Sequence, residues 1–348
     1  MKVIRQIMLV GLCFVFLFLF AGCNSILDTT ASKEKEIVCD EHNFKVTLPS
    51  GWKEVHNLNE AASIQASNLR KDIHFIVKAE SKDNVSDDFT LEDYKQILFE
   101  NQYPLQIKNI DIGESNEIKI NSFPAIQTVI SGEVNNFKAT YLVTLVESQN
   151  YVFQILAWSL KKSFDEHSEE LHEITNSIKI DDTKVTATEK PDDNESDASE
   201  KVKTLTSTDD ICSISVPEIW KEANLGAPSA VLQVAKFDSN LFMLIINEAK
   251  DNFSDGTTLQ DYYDTVISLV ATQLINMEIG DPINTEINGM QAIQVDLHGE
   301  ANKVKLSYLL TCVESEEYFH RVLCWSLQSN YDDNKETFMQ IADSFTVN

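Results

Sequence analysis

Two histidines and their acidic neighbours have the residue types of a metal site. His167 and His172 lie five residues apart in a segment with helical periodicity, beside Glu166, Glu169 and Glu170. One helix face repeats every three or four residues, so a spacing of five places the two imidazoles on different faces. A solvated helix face therefore explains these residues better than a metal site.

Four aspartates in two similar polar segments could offer oxygen ligands to Ca²⁺. The segments begin at residues 83 and 251, and the aspartates are Asp83, Asp87, Asp251 and Asp255. The glycine at position 6 and the glutamate at position 12 of a calcium-binding EF-hand loop are missing. We expect polar loops whose Asn, Ser and Asp side chains satisfy their own backbone before a helix.

Catalytic motifs are absent from the sequence. It contains no GxSxG, no HExxH, no phosphate-binding Walker loop and no dinucleotide fingerprint. We predict no catalytic, cofactor-binding or metal-binding residues, no cofactor, and a protein that is not an enzyme.

Tryptophan could instead form a sugar-binding platform if its ring were exposed. The chain has four tryptophans, Trp52, Trp158, Trp220 and Trp325. Burial in a core explains them without a ligand, and the same holds for Tyr141 and Tyr308, which alternate onto a sheet face.

The cysteines predict free thiols rather than a disulfide framework. No metal-binding spacing occurs among Cys39, Cys212, Cys312 and Cys324. Cys312 and Cys324 fall on neighbouring predicted strands, where a bridge remains an alternative to two buried thiols.

The first residues have the form of an export signal. Lys2 and Arg5 precede an apolar run that is too short to span a bilayer as a helix, followed by Ala21, Gly22 and Cys23. This ending resembles the lipobox of bacterial lipoproteins, although Phe20 stands where that family prefers Leu. The resemblance implies that Cys23 is acylated and anchors the chain to the extracytoplasmic side of a cell membrane. The alternative is an ordinary signal peptide cut after Ala21 or Gly22.

Charge argues against nucleic acid as a partner. Removal of the leader takes away Lys2 and Arg5 and no acidic residue, which changes the net charge from −27 to −29. A field of this sign repels phosphate backbones.

The remaining chain is a duplication with an offset near 168 residues. Matched pairs include Pro49 with Pro217 and Trp52 with Trp220. After a slip of one residue the offset is 167, and further pairs are Ile120 with Ile287, Gly132 with Gly299, Tyr141 with Tyr308 and Trp158 with Trp325.

Hydrophobic periodicity predicts the same elements in each copy. Strands are expected at 43–48, 63–69 and 73–80, then a helix capped by Thr90 with Asp93, then a meander at 125–134, 137–146 and 151–160 and a helix at 164–178. We predict an α+β fold with two tandem repeats, each a mainly antiparallel sheet with helices packed on it. This order, with the Pro and Trp after the first strand, resembles the PsbP-like fold.

The predicted organisation has five segments: a lipoprotein signal peptide at 1–22, a tether at 23–36, a first repeat at 37–180, an acidic flexible linker at 181–203 and a second repeat at 204–348.

Three functional classes are compatible with this organisation. The first is a membrane-anchored, non-catalytic binding module of the cell envelope for a protein or glycan, with tandem copies raising avidity. It predicts an exposed apolar patch on both repeats. The second is an accessory or substrate-capture subunit of an envelope transporter or assembly machine, which predicts a concave pocket in at least one copy. The third is an enzyme with an unfamiliar site, which predicts a cleft holding carboxylates of perturbed pKa.

Overall fold

A computed structural model describes residues 33–59, 61–183 and 201–348. The leader, Cys23 and most of the predicted tether and linker lie outside the described residues. The chain divides into two compact units. One contains the residues up to 83 and those from 89 to 183, and the other contains residues 84–88 and those from 201 onward. The predicted bounds of the two repeats stay predictions.

The first unit consists of two antiparallel sheets and two helical segments. Its strands are β1 Lys35–Cys39, β2 Phe44–Leu48, β3 Lys53–Glu54, β4 Ile64–Asn68, β5 Ile73–Ser81, β6 Lys108–Ile120, β7 Phe123–Val134, β8 Phe137–Glu147, β9 Tyr151–Leu160 and β10 Lys179–Ile180. The small sheet has the order β1-β2-β10 and the large sheet β3-β4-β5-β9-β8-β7-β6. The helical segments are α1 Leu91–Gln96, a π-helical turn Ile97–Gln102 with α2 Tyr103–Gln106, and later α3 Phe164–Asn176.

The second unit repeats this topology. Its strands are β11 Val202–Thr206, β12 Cys212–Pro217, β13 Lys221–Glu222, β14 Leu232–Lys236, β15 Leu241–Ala249, β16 Ile275–Ile279, β17 Ile283–Ile287, β18 Met290–Ala301, β19 Val304–Glu314, β20 Tyr318–Leu327 and β21 Thr346–Val347, and its helices are α4 Leu259–Ala271 and α5 Gln328–Asp343. The small sheet is β11-β12-β21, and the large sheet is β13-β14-β15-β20-β19-β18-β16 with β17 also on β18.

The predicted fold class is confirmed: each unit has antiparallel sheets with helices packed on them. Alternation along the strands sends apolar side chains of β2, β5 and β9 into one core with α3, and the second unit builds the matching core with α5. The four tryptophans are buried as predicted, and so are Tyr141 and Tyr308.

The helices α1 and α4 lie on the faces of the large sheets opposite α3 and α5, and each begins with a capping box, as predicted for Thr90. The Thr90 hydroxyl accepts the Asp93 N–H, and the Asp93 carboxylate accepts the Thr90 N–H at 2.9 Å. Thr258 and Asp261 repeat this arrangement. These side chains satisfy backbone donors that the first helical turn leaves without partners.

Cys39, Cys212, Cys312 and Cys324 are free and buried, as predicted for Cys312 and Cys324. Cys324 belongs to the core of the second unit, whereas Cys312 lies on β19 opposite Arg321 on β20. Burial raises the pKa of the Cys312 thiol to about 12. These thiols are therefore protonated and poorly nucleophilic.

The matched glycines Gly132 and Gly299 permit a close approach of the chain that leaves the helix. A Cβ on Gly132 would lie 2.3 Å from Ile107 Cγ2 and 3.0 Å from the Lys108 carbonyl oxygen, and a Cβ on Gly299 would lie 3.1 Å from Leu274 Cβ. Overpacking of this kind costs about 1–3 kcal/mol.

We expect Gly132→Ala to lower the free energy of unfolding of the first unit by about 2 kcal/mol in urea unfolding. Gly299→Ala is the graded comparison, since its Cβ would meet nothing closer than 3.1 Å, and it should destabilise the second unit less than Gly132→Ala destabilises the first. An unchanged midpoint for Gly132→Ala would contradict the close approach.

Candidate functional site

A polar cluster lies on the sheet face of the first unit that carries α1. Lys78 and Glu80 are two residues apart on β5 and share this face, and Lys78 is 1 % exposed. Burial raises the pKa of the Glu80 carboxyl to about 7, although nearby Lys78 acts in the opposite direction. Burial, with the Glu80 charge nearby, raises the pKa of Tyr94 on α1. The cluster thus places a carboxyl that titrates near neutrality beneath a helix.

The second unit holds the corresponding cluster with its cation on another strand. Arg321 Nη2 donates to Glu248 Oε2 at 2.9 Å, and the Tyr262 hydroxyl donates to the same oxygen at 2.7 Å. The Tyr262 ring stacks on Phe319 at 4.7 Å. The Arg321 side chain is 8 % exposed and that of Glu248 31 %. This is a hydrogen-bonded ion pair at the edge of a buried region.

The two clusters differ in the strand that carries the basic residue, which moves from one member of a cross-strand pair to the other. Lys78 on β5 lies opposite Gln154 on β9. The equivalent pair is Ile246 on β15 and Arg321 on β20. A carboxylate and a tyrosine occupy the same places in both units, so each unit keeps one cation, one carboxyl and one phenol beneath its helix.

The segment from Tyr94 to Lys108 contains one residue more than its counterpart from Tyr262 to Ile275. Tyr94 matches Tyr262 at the offset of 168. The pairing irregularity that follows Lys108 in β6 matches the one that follows Ile275 in β16, and this offset is 167. The extra residue is absorbed in the π-helical turn Ile97–Gln102, while α4 is a regular helix of 13 residues. Pro104 follows this turn, where it cannot donate a backbone hydrogen bond. Such turns are often found at functional sites.

A shallow groove of about 540 Å³ lies between this helix and the edge strand β6. Its apolar part includes Ile112, which is 42 % exposed, and Phe99 from the π-helical turn. The polar lining residues are Glu92, Asp93, Lys95, Gln96, Glu100 and Ser115. We call this set of residues the helix–edge groove.

The helix–edge groove is connected to the polar cluster through aromatic contacts. The Phe99 ring packs on Tyr103 with centroids 5.3 Å apart. The Tyr103 hydroxyl accepts a hydrogen bond of 2.7 Å from Gln154, the residue opposite Lys78. These contacts join Phe99 to the strand pair that carries Lys78.

A hydrogen-bonded chain in the second unit has the residue types of an activated serine. Asn247 Oδ1 lies 2.8 Å from His320 Nδ1, so this nitrogen donates, and Nε2 accepts from the Ser315 hydroxyl at 2.8 Å. His320 is fully buried, and burial lowers its pKa to about 4, which makes it a weak base. The Ser315 oxygen also accepts the Tyr318 N–H in a turn that Ser148 closes in the same way in the first unit. A structural role explains this chain.

The structure does not assemble a site around the histidines or aspartates considered above. His167 and His172 lie on α3, and Asp83 and Asp251 lie in short 3₁₀ turns. Among residues 33–59, 61–183 and 201–348, no group of three His, Cys, Asp or Glu residues is arranged to hold a metal ion. No helix in the same residues is long and apolar enough to cross a membrane. Cys23 lies outside the described residues, so its lipidation stays a prediction.

Comparison with known proteins gives similarity of fold only. No known family matches the sequence, and no curated protein matches it. The chain is similar to the cyanobacterial PsbP protein (CyanoP) of Synechocystis, with a TM-score of 0.35, 12 % identity and coverage of 43 % of this chain and 94 % of that protein. It is also similar to LpqN, a protein of Mycobacterium tuberculosis involved in cell envelope biogenesis, with a TM-score of 0.33, 13 % identity and coverage of 42 % and 90 %.

A further similarity extends over most of the chain. The immunity protein TplEi of Pseudomonas aeruginosa matches with a TM-score of 0.27 and 10 % identity, covering 91 % of this chain and 97 % of its own length. TM-scores and identities this low carry no argument about activity or partners.

Proposed function

We propose that this chain is a lipid-anchored protein of the cell envelope that acts as a non-catalytic binding module for a protein or glycan partner. One observation carries the proposal: an exposed isoleucine occupies the same edge-strand position in both units. Ile112 on β6 is 42 % exposed and Ile279 on β16 is 49 % exposed. Ile112 lies opposite Ile130, and Ile279 lies opposite Leu297, at the constant offset of 167. A single exposed isoleucine is ordinary on a protein surface, so the support comes from its repetition at the same edge position in both copies.

The helix–edge groove favours a second candidate, an accessory or substrate-capture subunit of an envelope transporter or assembly machine. Its volume of about 540 Å³ falls in the range of small-molecule sites, and charged and hydroxyl groups line it. It is open to solvent rather than enclosed, a shape that suits a segment of a partner better than a small molecule.

Site-specific photocrosslinking in living cells tests the binding module. A photoreactive apolar residue replaces Ile112 or Ile279, and Leu69, which is 72 % exposed in a turn, provides the control position. We expect a discrete adduct from positions 112 and 279 and none from 69, because the partner contacts the edge strands. Equal labelling at all three positions, or none at the edge strands, would sink the proposal.

Lipidation is tested independently of the partner. We expect the membrane-extracted protein to have the mass of a chain that begins with an acylated Cys23, and Cys23→Ala to move most of the protein from the membrane fraction to the soluble fraction. A wild-type protein found in the medium with an unmodified N-terminus would overturn the anchor. It would leave the binding module in place as a diffusible protein.

A further inference from the structure

We propose that the helix–edge groove of the first unit binds a basic segment of a protein partner, in which an apolar side chain packs on Phe99 and Ile112 between lysine or arginine residues. The inference rests on the proposed binding function and assigns it a site and a partner chemistry. It predicts that only the first unit binds this segment, whereas the edge-strand isoleucines are common to both units.

The charges of the groove favour a cation. Three acidic residues line it: Glu92 pairs with the one lining cation, Lys95, at 2.5 Å, Asp93 caps the helix, and Glu100 is the third. Glu100 accepts a hydrogen bond of 3.1 Å from the Gln96 amide, a neutral donor that leaves its charge uncompensated. The groove therefore repels an anionic peptide and attracts lysine and arginine.

The apolar residues give the groove a place for a side chain. Ile112 is 42 % exposed on an edge strand, and Phe99 lines the same cavity from the π-helical turn. Phe99 is 7 % exposed, so an apolar side chain of the partner would mainly cover Ile112 and would reach only the small exposed part of Phe99. Acidic residues around an apolar floor match a basic segment that contains a leucine or phenylalanine.

The second unit differs from this groove at several equivalent positions, although it keeps Asp261 for Asp93 and Ile279 for Ile112 and has Asp264 in place of Gln96. Glu92 is replaced by Gln260, and Lys95 by Tyr263, which is buried. Ser115 is replaced by Pro282, which interrupts the edge strand between β16 and β17. The regular helix α4 also lacks the extra residue that brings Phe99 to the groove. The second unit therefore differs from the groove in the shape of this surface rather than in its net charge.

The test measures fluorescence anisotropy of a dye-labelled hexapeptide, Lys-Lys-Leu-Phe-Lys-Lys, with the full mature chain at about 0.15 M salt, where exposed charges beyond about 8 Å are screened. We expect Glu92→Gln with Glu100→Gln to weaken binding about tenfold, as the loss of two exposed ion pairs would. The matched control is Glu166→Gln with Glu169→Gln, the same charge change on exposed residues of α3, and it should leave the affinity unchanged.

A second variant tests the groove without changing its charge. Deletion of Asn101 together with Pro104→Ala removes the extra residue and the proline, as in α4, and keeps every acidic residue of the groove. We expect this variant to fold and to lose peptide binding at least tenfold. Binding at the wild-type affinity would overturn the role of the π-helical turn.

Two outcomes would overturn the inference. One is equal binding of the peptide with glutamate in place of lysine, and the other is an equal loss of affinity in the α3 control, which would show attraction to the acidic chain as a whole. Adducts from photoreactive positions 112 and 279 alongside either outcome would keep the binding module and remove only the basic partner. Absence of adducts at both positions with retained peptide binding would overturn the proposed function and leave only an affinity of the groove for basic peptides.

Discussion

Replacement of Arg321 by glutamine is expected to destabilise the second unit by about 3 kcal/mol, because removing one partner of a buried ion pair leaves the other charge without compensation. The Arg321 side chain is 8 % exposed and donates to Glu248 at 2.9 Å, and the Tyr262 hydroxyl donates to the same carboxylate. Glutamine is the residue at the equivalent position 154 of the first unit, so it suits this place in the fold. Hydrogen exchange of β15 and β20 during urea unfolding reports the second unit separately.

The decisive test places a lysine on the strand opposite position 321, in the arrangement found in the first unit. Ile246 lies directly across from Arg321, as Lys78 lies across from Gln154. We expect Ile246→Lys in the Arg321→Gln background to recover more than half of the lost free energy, whereas Ile246→Lys alone destabilises by placing two cations beside one carboxylate. A double-mutant cycle measures this coupling. Additive effects of the two substitutions would contradict a shared cluster.

Much of the fold could be predicted because its signals are local or repeated. The capping boxes follow from Thr90 and Asp93, whose side chains act on backbone groups within one turn. The meander strands could be predicted from apolar runs bounded by turns. Burial of the duplicated tryptophans could be predicted because each repeat needs large apolar side chains in its core. The strands β1 and β6 were not predicted. β6 has mostly exposed residues on an edge, and its alternation is interrupted by two irregularities in pairing.

The polar clusters could not be predicted because they depend on tertiary contacts. Charged residues such as Lys78, within β5, and Glu80, near its end, are ordinarily solvated, and only the helix above them changes their environment. A signal was present all the same: Glu80 and Glu248 match across the duplication at the offset of 168. The change of offset from 168 to 167 between Tyr94 and Ile120 likewise located an insertion, although its π-helical form depends on packing.

The pH dependence of the first unit should follow the Glu80 carboxyl. Its pKa in the folded protein is about 7, raised from 4.5 by burial. The folded state therefore holds this proton more tightly than the unfolded state. The resulting stabilisation is complete below about pH 4.5 and is lost as the pH rises through 7. A pKa difference of this size between the folded and unfolded states corresponds to about 3 kcal/mol in the free energy of unfolding.

The wild type and Glu80→Gln should therefore diverge between pH 4.5 and 7. We expect the glutamine variant, which cannot ionise, to gain stability relative to the wild type by up to about 3 kcal/mol across this interval and to keep a constant difference above it. Urea unfolding followed by hydrogen exchange of β5 and β9 gives the difference, and Glu117→Gln, an exposed acid on β6, is the control. Burial lowers the pKa of His42 and His74, so both give a slope of the opposite sign that cancels in the difference. A difference independent of pH would mean that Glu80 ionises in the folded unit as it does in water, and that its cluster beneath α1 is open to solvent.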